Sequence, residues 1–349
     1  MILHNSNIKK TALIIILVSL STCVDSPIEP VPQPGSRDYV WTIDTLGTSD
    51  DSFGSIWGNT PSDVWSTSAY SYPPNNILHF DGIEWKAVGP YKDFLANCIW
   101  GFSSNNVWFG GSNSELWNYD GNEWQIAAEL TDESSQISFQ RLWGNENIFF
   151  AFGAYPDENS DYNNPTIAHL KNGKWTMLNT DGIVGIVARL FLNYKQELYI
   201  QNIKWGNATV ADSTQIYEYN NGSFKLLYSS LWSKGYTADI SLINNEVYFV
   251  LGRQIAVRKN NQFQTVLNID DPNFYGRIWG RTIKDIFIEM SDGLAHYNGN
   301  NIEYFHHFNN NSWSNILDAI LFKEEVFFLV RDYNTHISLI YHGKLKKGG

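Results

Sequence analysis

Short stretches in which apolar and polar residues alternate fill most of this chain, and two kinds of stretch recur as a pair. The first ends in Trp-Gly, and the second contains a Val or Ile that stands seven residues after the Trp. The three clearest copies occupy residues 56–58 with 63–65, 99–101 with 106–108, and 278–280 with 285–287. Alternation with a period of two predicts strands, and a paired pattern kept over more than two hundred residues predicts a repeat fold.

Weaker copies fill the gaps between the clear ones, in part with a shortened turn between the two stretches. We call the Trp of each Trp-Gly pair, or the residue that replaces it, the inner aromatic position. The sequence contains seven such positions and therefore predicts seven units. These positions are 57, 100, 143, 191, 242, 279 and 321. Their spacing of 37 to 51 residues is the repeat length of propeller blades.

A second signature closes the units, in which Asp-Gly or Asn-Gly stands between apolar residues and an aromatic residue often follows. It is clearest at 79–85, 118–124 and 169–175, and it recurs in weaker form at 219–224, 296–299 and 341–343. Asp-Gly and Asn-Gly favour hairpins because both residues tolerate the positive φ angles of a type I′ turn. Each of these units is therefore predicted to contain a tight reversal.

The alternation divides the first unit into four short strands, near residues 55–57, 64–67, 77–80 and 85–88. Four strands in about 43 residues are one blade of a β-propeller, and seven blades lie within the usual range. A β-sandwich would not explain the period, and a solenoid would not need four strands per unit. The sequence predicts an all-β, seven-bladed propeller of four-stranded blades, in which the recurring tryptophans pack blade against blade.

The two ends of the repeat region predict how the ring closes. Residues 40–43 resemble the fourth strand of a unit, whereas the last unit stops after Gly343 with few residues left. We expect the N-terminal strand to complete the last blade, because this would also remove an exposed sheet edge.

The first residues form a separate segment. Lys9 and Lys10 precede an apolar run over 12–20 that is too short to span a bilayer as a helix. The run ends in Leu20-Ser21-Thr22-Cys23, which resembles the lipobox of bacterial lipoproteins, although Thr22 departs from the usual Gly, Ala or Ser. That resemblance implies a lipidated Cys23. The alternative is an ordinary secretory signal peptide with a coincidental cysteine.

We therefore expect a lipoprotein signal peptide over 1–22, a lipidated cysteine with a spacer over 23–37, and one propeller domain over 38–349. Four prolines between residues 25 and 35 predict an extended, semi-rigid spacer. The expected location is the bacterial outer membrane, at its periplasmic or surface face, with contact to the membrane through the lipid alone.

Composition narrows the classes of partner. The net charge of −12 excludes a nucleic-acid surface, which would need clustered Lys and Arg. The 15% content of aromatic residues fits a pleated sheet. A lipidated Cys23 leaves Cys98 without an intrachain partner, and its place in a strand predicts a buried apolar role. No pair of histidines has metal-ligand spacing, so we expect no metal and no cofactor.

The paired motif resembles repeats of bacterial secreted propellers in the broad kelch, galactose-oxidase-like or sialidase-like group. The resemblance covers roughly residues 40 to 345 and implies a propeller fold. The Asp-Gly-x-x-Trp turns resemble the Asp-box of sialidase-like propellers, but its first Ser and first Asp are absent at residues 77–82. In that family the box is a structural turn, so it implies no activity.

Three arginines form the most specific candidate site. Arg141, Arg189 and Arg277 each stand two residues before the inner aromatic position of their unit. Residues two apart on a strand share a face, so these guanidinium groups would gather at the central channel and could bind a carboxylate or sulfate. The alternative is a purely structural role.

Other candidates lie outside the channel. Tyr70, Tyr72, Tyr155 and Tyr162 lie in the longer segments between strands, where ligand-binding residues concentrate. Three histidines and their counterparts occupy equivalent third-strand positions, where a repeated polar bond to the blade turn is expected: His79, His169, His296, Asn118 and Glu218. The acidic segment 154–165 lacks the ordered ligand pattern of a calcium loop and is expected to be solvated.

Two functions are compatible with these features. The first is a membrane-anchored, non-enzymatic propeller, expected as a monomer, that binds a glycan or a protein partner. The second is an extracytoplasmic carbohydrate-active enzyme of sialidase-like type. An enzyme would need a pair of carboxyl groups beside the arginines, roughly 5 to 10 Å apart.

Overall fold

A computed structural model of the chain describes residues 33–92, 94–131, 136–206, 211–232, 238–308 and 313–346. The predicted signal peptide, Cys23 and most of the predicted spacer lie outside the described residues. The regular structure of the described part consists of strands. In chain order they are β1 (Tyr39–Leu46), β2 (Phe53–Thr60), β3 (Asp63–Ser68), β4 (Ile77–Phe80), β5 (Trp85–Ala87), β6 (Ala96–Ser103), β7 (Asn106–Gly111), β8 (Glu115–Tyr119), β9 (Trp124–Glu129), β10 (Ser138–Asn145), β11 (Ile148–Tyr155), β12 (Asn164–Lys171), β13 (Lys174–Met177), β14 (Ile186–Leu192), β15 (Leu198–Lys204), β16 (Ser213–Asn220), β17 (Ser223–Leu231), β18 (Ala238–Ile243), β19 (Glu246–Leu251), β20 (Gln254–Lys259), β21 (Gln262–Asn268), β22 (Phe274–Thr282), β23 (Asp285–Met290), β24 (Gly293–Tyr297), β25 (Ile302–His307), β26 (Ser314–Leu321), β27 (Glu325–Asp332) and β28 (Ile337–Leu345).

The strands form seven antiparallel sheets of four, which confirms the predicted seven-bladed propeller. Blades 1 to 6 are β2–β5, β6–β9, β10–β13, β14–β17, β18–β21 and β22–β25, and blade 7 contains β26, β27, β28 and β1. The first strands of successive blades contact one another around the ring, and β26 contacts β2. These first strands therefore surround the central channel.

The N-terminal strand closes the ring as predicted. β1 pairs antiparallel with β28 over its full length, from Tyr39 opposite Leu345 to Leu46 opposite Ser338. Leu46 is fully buried, and Trp41 packs against the ring of Phe305 from blade 6. The two ends of the repeat region thus complete one sheet, and the closing strand also contacts the neighbouring blade.

The Trp-Gly pairs have a packing reason. A Cβ on Gly101 of blade 2 would come within 2.5 Å of the indole of Trp57 from blade 1. Gly144 likewise approaches Phe102, and Gly58 approaches Phe322. Glycine at this position therefore leaves room for a large side chain of the preceding blade. The tryptophans pack blade against blade, as predicted.

The blade turns are of two kinds rather than the one predicted. Asn172-Gly173 and Asn221-Gly222 form two-residue hairpins in which both residues have positive φ. In the four-residue Asp-Gly turn of blade 1, only Gly82 has positive φ, and the Asp81 carboxylate accepts hydrogen bonds from the N–H groups of Ile83 and Glu84. Aspartate therefore acts there as a side-chain cap.

The two faces of the ring differ in their connections. The turn face carries the links from first to second and from third to fourth strands, which are two to five residues long. The loop face carries the links from second to third strands and those between blades, up to eight residues long. First strands run from the loop face to the turn face.

Candidate functional site

The three predicted arginines line one cavity in the central channel. The cavity has a volume of about 250 Å³ and is bordered by the first strands of all seven blades, with Arg141 on β10, Arg189 on β14 and Arg277 on β22. The structure therefore brings together the guanidinium groups that the sequence placed two residues before an inner aromatic position.

Strand register corrects two of the seven inner aromatic positions. In blade 1, Trp57 lies opposite Trp65 of the second strand. In blade 5, Ser241 lies opposite Tyr248, and in blade 7, Ile320 lies opposite Phe327. Both residues stand one position before the predicted positions 242 and 321. The sequence prediction is off by one residue in these two blades because apolar periodicity does not report which residues pair across strands.

The corrected register defines a ring of equivalent positions, each two residues before the inner aromatic position. Its members in blade order are Ser55, Cys98, Arg141, Arg189, Asp239, Arg277 and Asp318. We call this set the channel ring. It contains two aspartates that were not predicted from the sequence, and it is the place where the charged side chains of the channel concentrate.

Ion pairs connect the charged members of the channel ring. Asp239 accepts a hydrogen bond from Nε of Arg189 at 2.8 Å, and its other oxygen lies 3.5 Å from Nε of Arg277. Arg141 lies 3.9 Å from Asp318, at the limit of an ion pair. Asp318 is also oriented by the main-chain N–H of Ile56 in blade 1, at 3.3 Å. The network crosses the channel.

Main-chain carbonyl groups hold two of the guanidinium groups. Nη2 of Arg141 and Nη1 of Arg277 both point to the carbonyl oxygen of Leu317, at 3.5 and 2.8 Å. Arg141 also donates to the carbonyl oxygen of Gly54 at 2.9 Å. Two cations therefore converge on one neutral acceptor.

Burial perturbs two ionisable groups at this site. Burial, followed by repulsion from Arg277, lowers the pKa of Arg189 to about 10 even though Asp239 opposes the change. Burial raises the pKa of Glu289 to about 7, against the attraction of Arg277. Glu289 lies behind the cavity on β23, where its Oε1 accepts the N–H of Ile316 at 2.8 Å.

The predicted tyrosines fall into two groups. Tyr70, Tyr72 and Tyr162 are exposed in links between second and third strands, all on the loop face. Tyr155 is the last residue of β11 and packs against the core cluster that contains Phe139. The structure therefore supports a surface position for three of the four.

Exposed tyrosines and tryptophans are concentrated on the loop face. Among the described residues, nine such side chains are exposed, and eight of them lie in loop-face connections or at the strand ends beside them. The eight are Tyr70, Tyr72, Tyr91, Tyr162, Trp205, Trp232, Tyr275 and Trp313. The ninth, Tyr194, lies in a turn on the opposite face. Three of the eight were predictable from the sequence, because periodicity does not report exposure.

Two of the three third-strand histidines make the polar bond that was predicted. His79 Nε2 lies 2.7 Å from Asp63, and His296 Nε2 lies 2.8 Å from Asp285, in each case at the start of the second strand. Asn118 makes the same contact in blade 2, with Asn106. In blade 3 the acid is replaced by Ile148, and Nδ1 of His169 is buried without a partner among the described residues.

Two further expectations concern cations and thiols. In the segment 154–165, the Asp157 carboxylate accepts the N–H groups of Asn159 and Asp161 and so closes a turn on itself. Within the described ranges, no group of three potential metal ligands is found. Cys98 is a free, buried cysteine, and burial raises the pKa of its thiol to about 12.

No helix in the described part of the chain is long and apolar enough to cross a bilayer.

The segment just before β1 lies at the turn face. The N–H of Gly35 donates to the carbonyl oxygen of Lys284 at 2.8 Å, and Arg37 pairs with Glu303 at 2.8 Å. The described chain thus enters the propeller beside blade 6.

The fold and the channel define a seven-bladed propeller with a charged central cavity. No family model and no curated protein matches the chain. The chain is similar in structure to YCF48 bound to a D1 peptide, with a TM-score of 0.60 and 14% identity over 89% of this chain and 99% of that one.

Two other solved structures show the same likeness. A catalytically inactive virginiamycin B lyase from Staphylococcus aureus with quinupristin has a TM-score of 0.61 and 14% identity, over 88% of this chain and 100% of that one. The WD40 propeller domain of Doa1 has a TM-score of 0.59 and 9% identity, over 88% and 98%. At these identities the comparisons establish the propeller fold alone. The kelch or sialidase-like grouping therefore stays a prediction from the motifs.

Proposed function

We propose that this chain is a lipid-anchored, extracytoplasmic binding module whose loop face binds a protein partner. The observation that carries the proposal is the one-sided distribution of exposed tyrosine and tryptophan. Aromatic residues of these two types are enriched at protein interfaces, where they supply large contact areas with few rotatable bonds.

Contacts between loop-face aromatics support a role in binding. Trp313 stacks on Tyr333 with ring centroids 4.8 Å apart, and Trp205 meets Trp232 edge to face at 5.5 Å. The indole N–H of Trp232 also donates to Thr214 at 2.8 Å. Side chains that are held in place before binding lose less conformational entropy when a partner docks.

A protein partner is favoured over a glycan because the exposed aromatics are spread over the loop-face segments of four blades and three links between blades, from Tyr70 of blade 1 to Trp313 beside blade 7. A glycan site is compact, whereas a protein interface occupies about 800 Å² per partner. Among proteins of this fold, YCF48 has been solved with a bound peptide. A propeller of this size can therefore accommodate a polypeptide.

The cavity is less suited to a carbohydrate-active enzyme that works with a pair of carboxyl groups. Such an enzyme needs one carboxyl group that can donate a proton and a second that can act as base or nucleophile. The carboxylates that belong to the channel ring, Asp239 and Asp318, are both in contact with arginines. Ion pairing stabilises the charged form and opposes proton donation.

The described chain enters the propeller on the face opposite the exposed aromatic residues. It begins at residue 33, close to turn-face residues such as Lys284, and β1 then runs toward the loop face. This entry leaves the loop face free for a partner.

The lipid anchor is tested by Cys23→Ser in the full chain. We expect the variant to move from the membrane fraction to the soluble extracytoplasmic fraction, because one acyl-modified residue is the expected attachment. Unchanged membrane association would contradict the anchor without affecting the proposed binding face.

The binding face is tested in the full chain with Tyr72→Ala and Trp313→Ala, against Tyr194→Ala on the opposite face as the matched control. We expect the first two variants to lose, by roughly tenfold or more, a partner that co-purifies with the natural protein from its own cell envelope. Equal loss with Tyr194→Ala, or binding to immobilised glycans that depends on the same residues, would overturn the proposal of a protein partner.

A further inference from the structure

The channel ring carries more positive than negative side chains. Three arginines face two aspartates in the ring, and a third carboxyl group, Glu289, interacts with Arg277 from behind the cavity. Arg141 and Arg189 occupy adjacent positions in the ring without an acid between them. Asp239 is shared by Arg189 and Arg277, so one carboxylate serves two guanidinium groups. Like charges gathered in a confined space raise the energy of the folded chain, and a bound anion would relieve that cost.

The arginines retain hydrogen-bond donors for a ligand. Arg189 uses Nε to bind Asp239, and its two Nη groups have no acceptor among the described residues. Arg277 and Arg141 converge on the carbonyl oxygen of Leu317, so their guanidinium groups are close to each other. Guanidinium groups bind carboxylates through two parallel hydrogen bonds, a geometry that water does not reproduce.

An apolar layer lies beside the charged one. The inner aromatic positions follow the channel ring by two residues along each first strand, which places them roughly 7 Å farther toward the turn face. This layer borders the same cavity and contains Trp57, Trp100, Trp143, Phe191 and Trp279. A ligand that fills the cavity would therefore meet cations at one end and aromatic rings at the other.

The volume limits the size of such a ligand. A cavity of about 250 Å³ has room for roughly eight water-sized groups. We propose that the central cavity binds a small organic acid with an apolar body, whose carboxylate contacts Arg189, Arg277 and Arg141 and whose body packs on the aromatic layer. This site is independent of the partner-binding loop face.

The ligand class is tested by titrating the full chain with hexanoate and benzoate. Indole fluorescence and the thermal unfolding midpoint both report on the site, because several tryptophans border the cavity. We expect saturable fluorescence changes and a raised midpoint with these acids, since a ligand that binds only the folded state stabilises it. Hexylamine and benzyl alcohol lack the carboxylate, and sulfate at equal ionic strength lacks the apolar body; none should have this effect.

Arginine substitutions test the position of the site. Arg189→Gln should weaken hexanoate and benzoate binding roughly tenfold to a hundredfold, the value of a charge-assisted hydrogen bond. Arg258→Gln is the matched control, because Arg258 is also a buried arginine paired with a carboxylate, Glu218, but does not border the cavity. It should bind both acids as the natural protein does.

A steric variant keeps the test valid if the charge variant unfolds. Ala188 borders the cavity, and Ala188→Leu would fill part of it without removing a charge. This variant should also lose acid binding. Acid binding that survives both Arg189→Gln and Ala188→Leu, equal stabilisation by sulfate and hexanoate, or no saturable binding of either acid would overturn the proposal. None of these results would bear on the loop face, because the assay contains no partner.

Discussion

Gly101 of blade 2 lies against the indole ring of Trp57 from blade 1, so closely that a Cβ on residue 101 would come within 2.5 Å of Cη2. Trp57 is buried, and its ring cannot move without disturbing the inner end of two blades. The contact links the Trp of blade 1 to the Gly of blade 2, and it shows why residue 101 is a glycine.

This contact predicts that Gly101→Ala destabilises the domain by about 1–3 kcal/mol, the usual cost of forcing an extra carbon into a packed core. Gly54→Ala is the control, because a Cβ there would meet no atom within 4 Å. Denaturant unfolding of both variants should show a loss for the first and little change for the second. Equal stability of the two variants would contradict the packing role of the Trp-Gly pair.

The closing strand is expected to contribute strongly to stability. Deleting residues 41–46 removes most of β1, including the buried Leu46 and the packed ring of Trp41, and exposes the edge of β28. We expect a loss of about 5 kcal/mol or more, from buried apolar side chains and sheet pairing together. Deletion of 25–32 should leave the unfolding midpoint close to its original value. A midpoint that is insensitive to the first deletion would refute closure by pairing of the chain ends.

Glu289 predicts a specific pH dependence. Its pKa of about 7 means that the folded chain keeps this carboxyl protonated where the unfolded chain, with a pKa of 4.5, has already ionised it. The free energy of unfolding therefore keeps its full value below pH 4.5 as far as this group is concerned, and it falls as the pH rises from 4.5 to about 7.

Glu289→Gln removes this titration and keeps an oxygen that can accept the N–H of Ile316. Relative to the natural protein, the variant should therefore gain up to about 3 kcal/mol between pH 4.5 and pH 8. Unfolding curves at four or five pH values measure the difference. A difference that is constant with pH, or that shrinks as the pH rises, would show that this carboxyl is not raised.

The histidine contacts predict a contrast between two blades. In blade 6, His296 binds Asp285, and hydrogen bonds from His296 and Arg281 lower the pKa of Asp285 although burial opposes this. In blade 3, His169 has Ile148 in place of the acid. His296→Gln should therefore cost about 1–3 kcal/mol, and His169→Gln under about 1 kcal/mol.

Thermal or denaturant unfolding of the two glutamine variants, side by side, measures this contrast. A larger loss at residue 169 than at residue 296 would mean that the histidine contributes by packing alone and not by its bond to the acid.

The sequence predicted the blade number, the four-strand unit and the closing strand because each depends on features that periodicity reports. Trp-Gly pairs and Asp-Gly turns mark the same point of every blade, and the terminal strand resembles Trp85 and its neighbours. The sequence also predicted that Arg141, Arg189 and Arg277 meet at the channel.

The acidic half of the channel ring could not be predicted in the same way. Asp239 and Asp318 are equivalent to the arginines only after the register is known, and an error of one residue moves a side chain to the other face of a strand. Trp57 lies opposite Trp65, eight residues on, whereas Ser241 and Ile320 lie opposite residues only seven positions on, so the sequence spacing does not fix the register of every blade.

The loop-face aromatics were also incompletely predicted. Trp205 and Trp313 lie outside the repeated motifs, where only the assembled ring shows that they share a face with Tyr72. Exposure is a property of the whole fold, since the same residue types form the core in the strands.

Photo-crosslinking in living cells tests the proposed binding face most directly. A photoreactive amino acid is placed in the full chain at position 72 or 313 on the loop face, and at position 83 or 194 on the turn face, all four of which carry exposed side chains. We predict that the loop-face positions crosslink to the same protein partner and that the turn-face positions do not. Crosslinking of that partner from positions 83 and 194, with none from 72 and 313, would contradict the account.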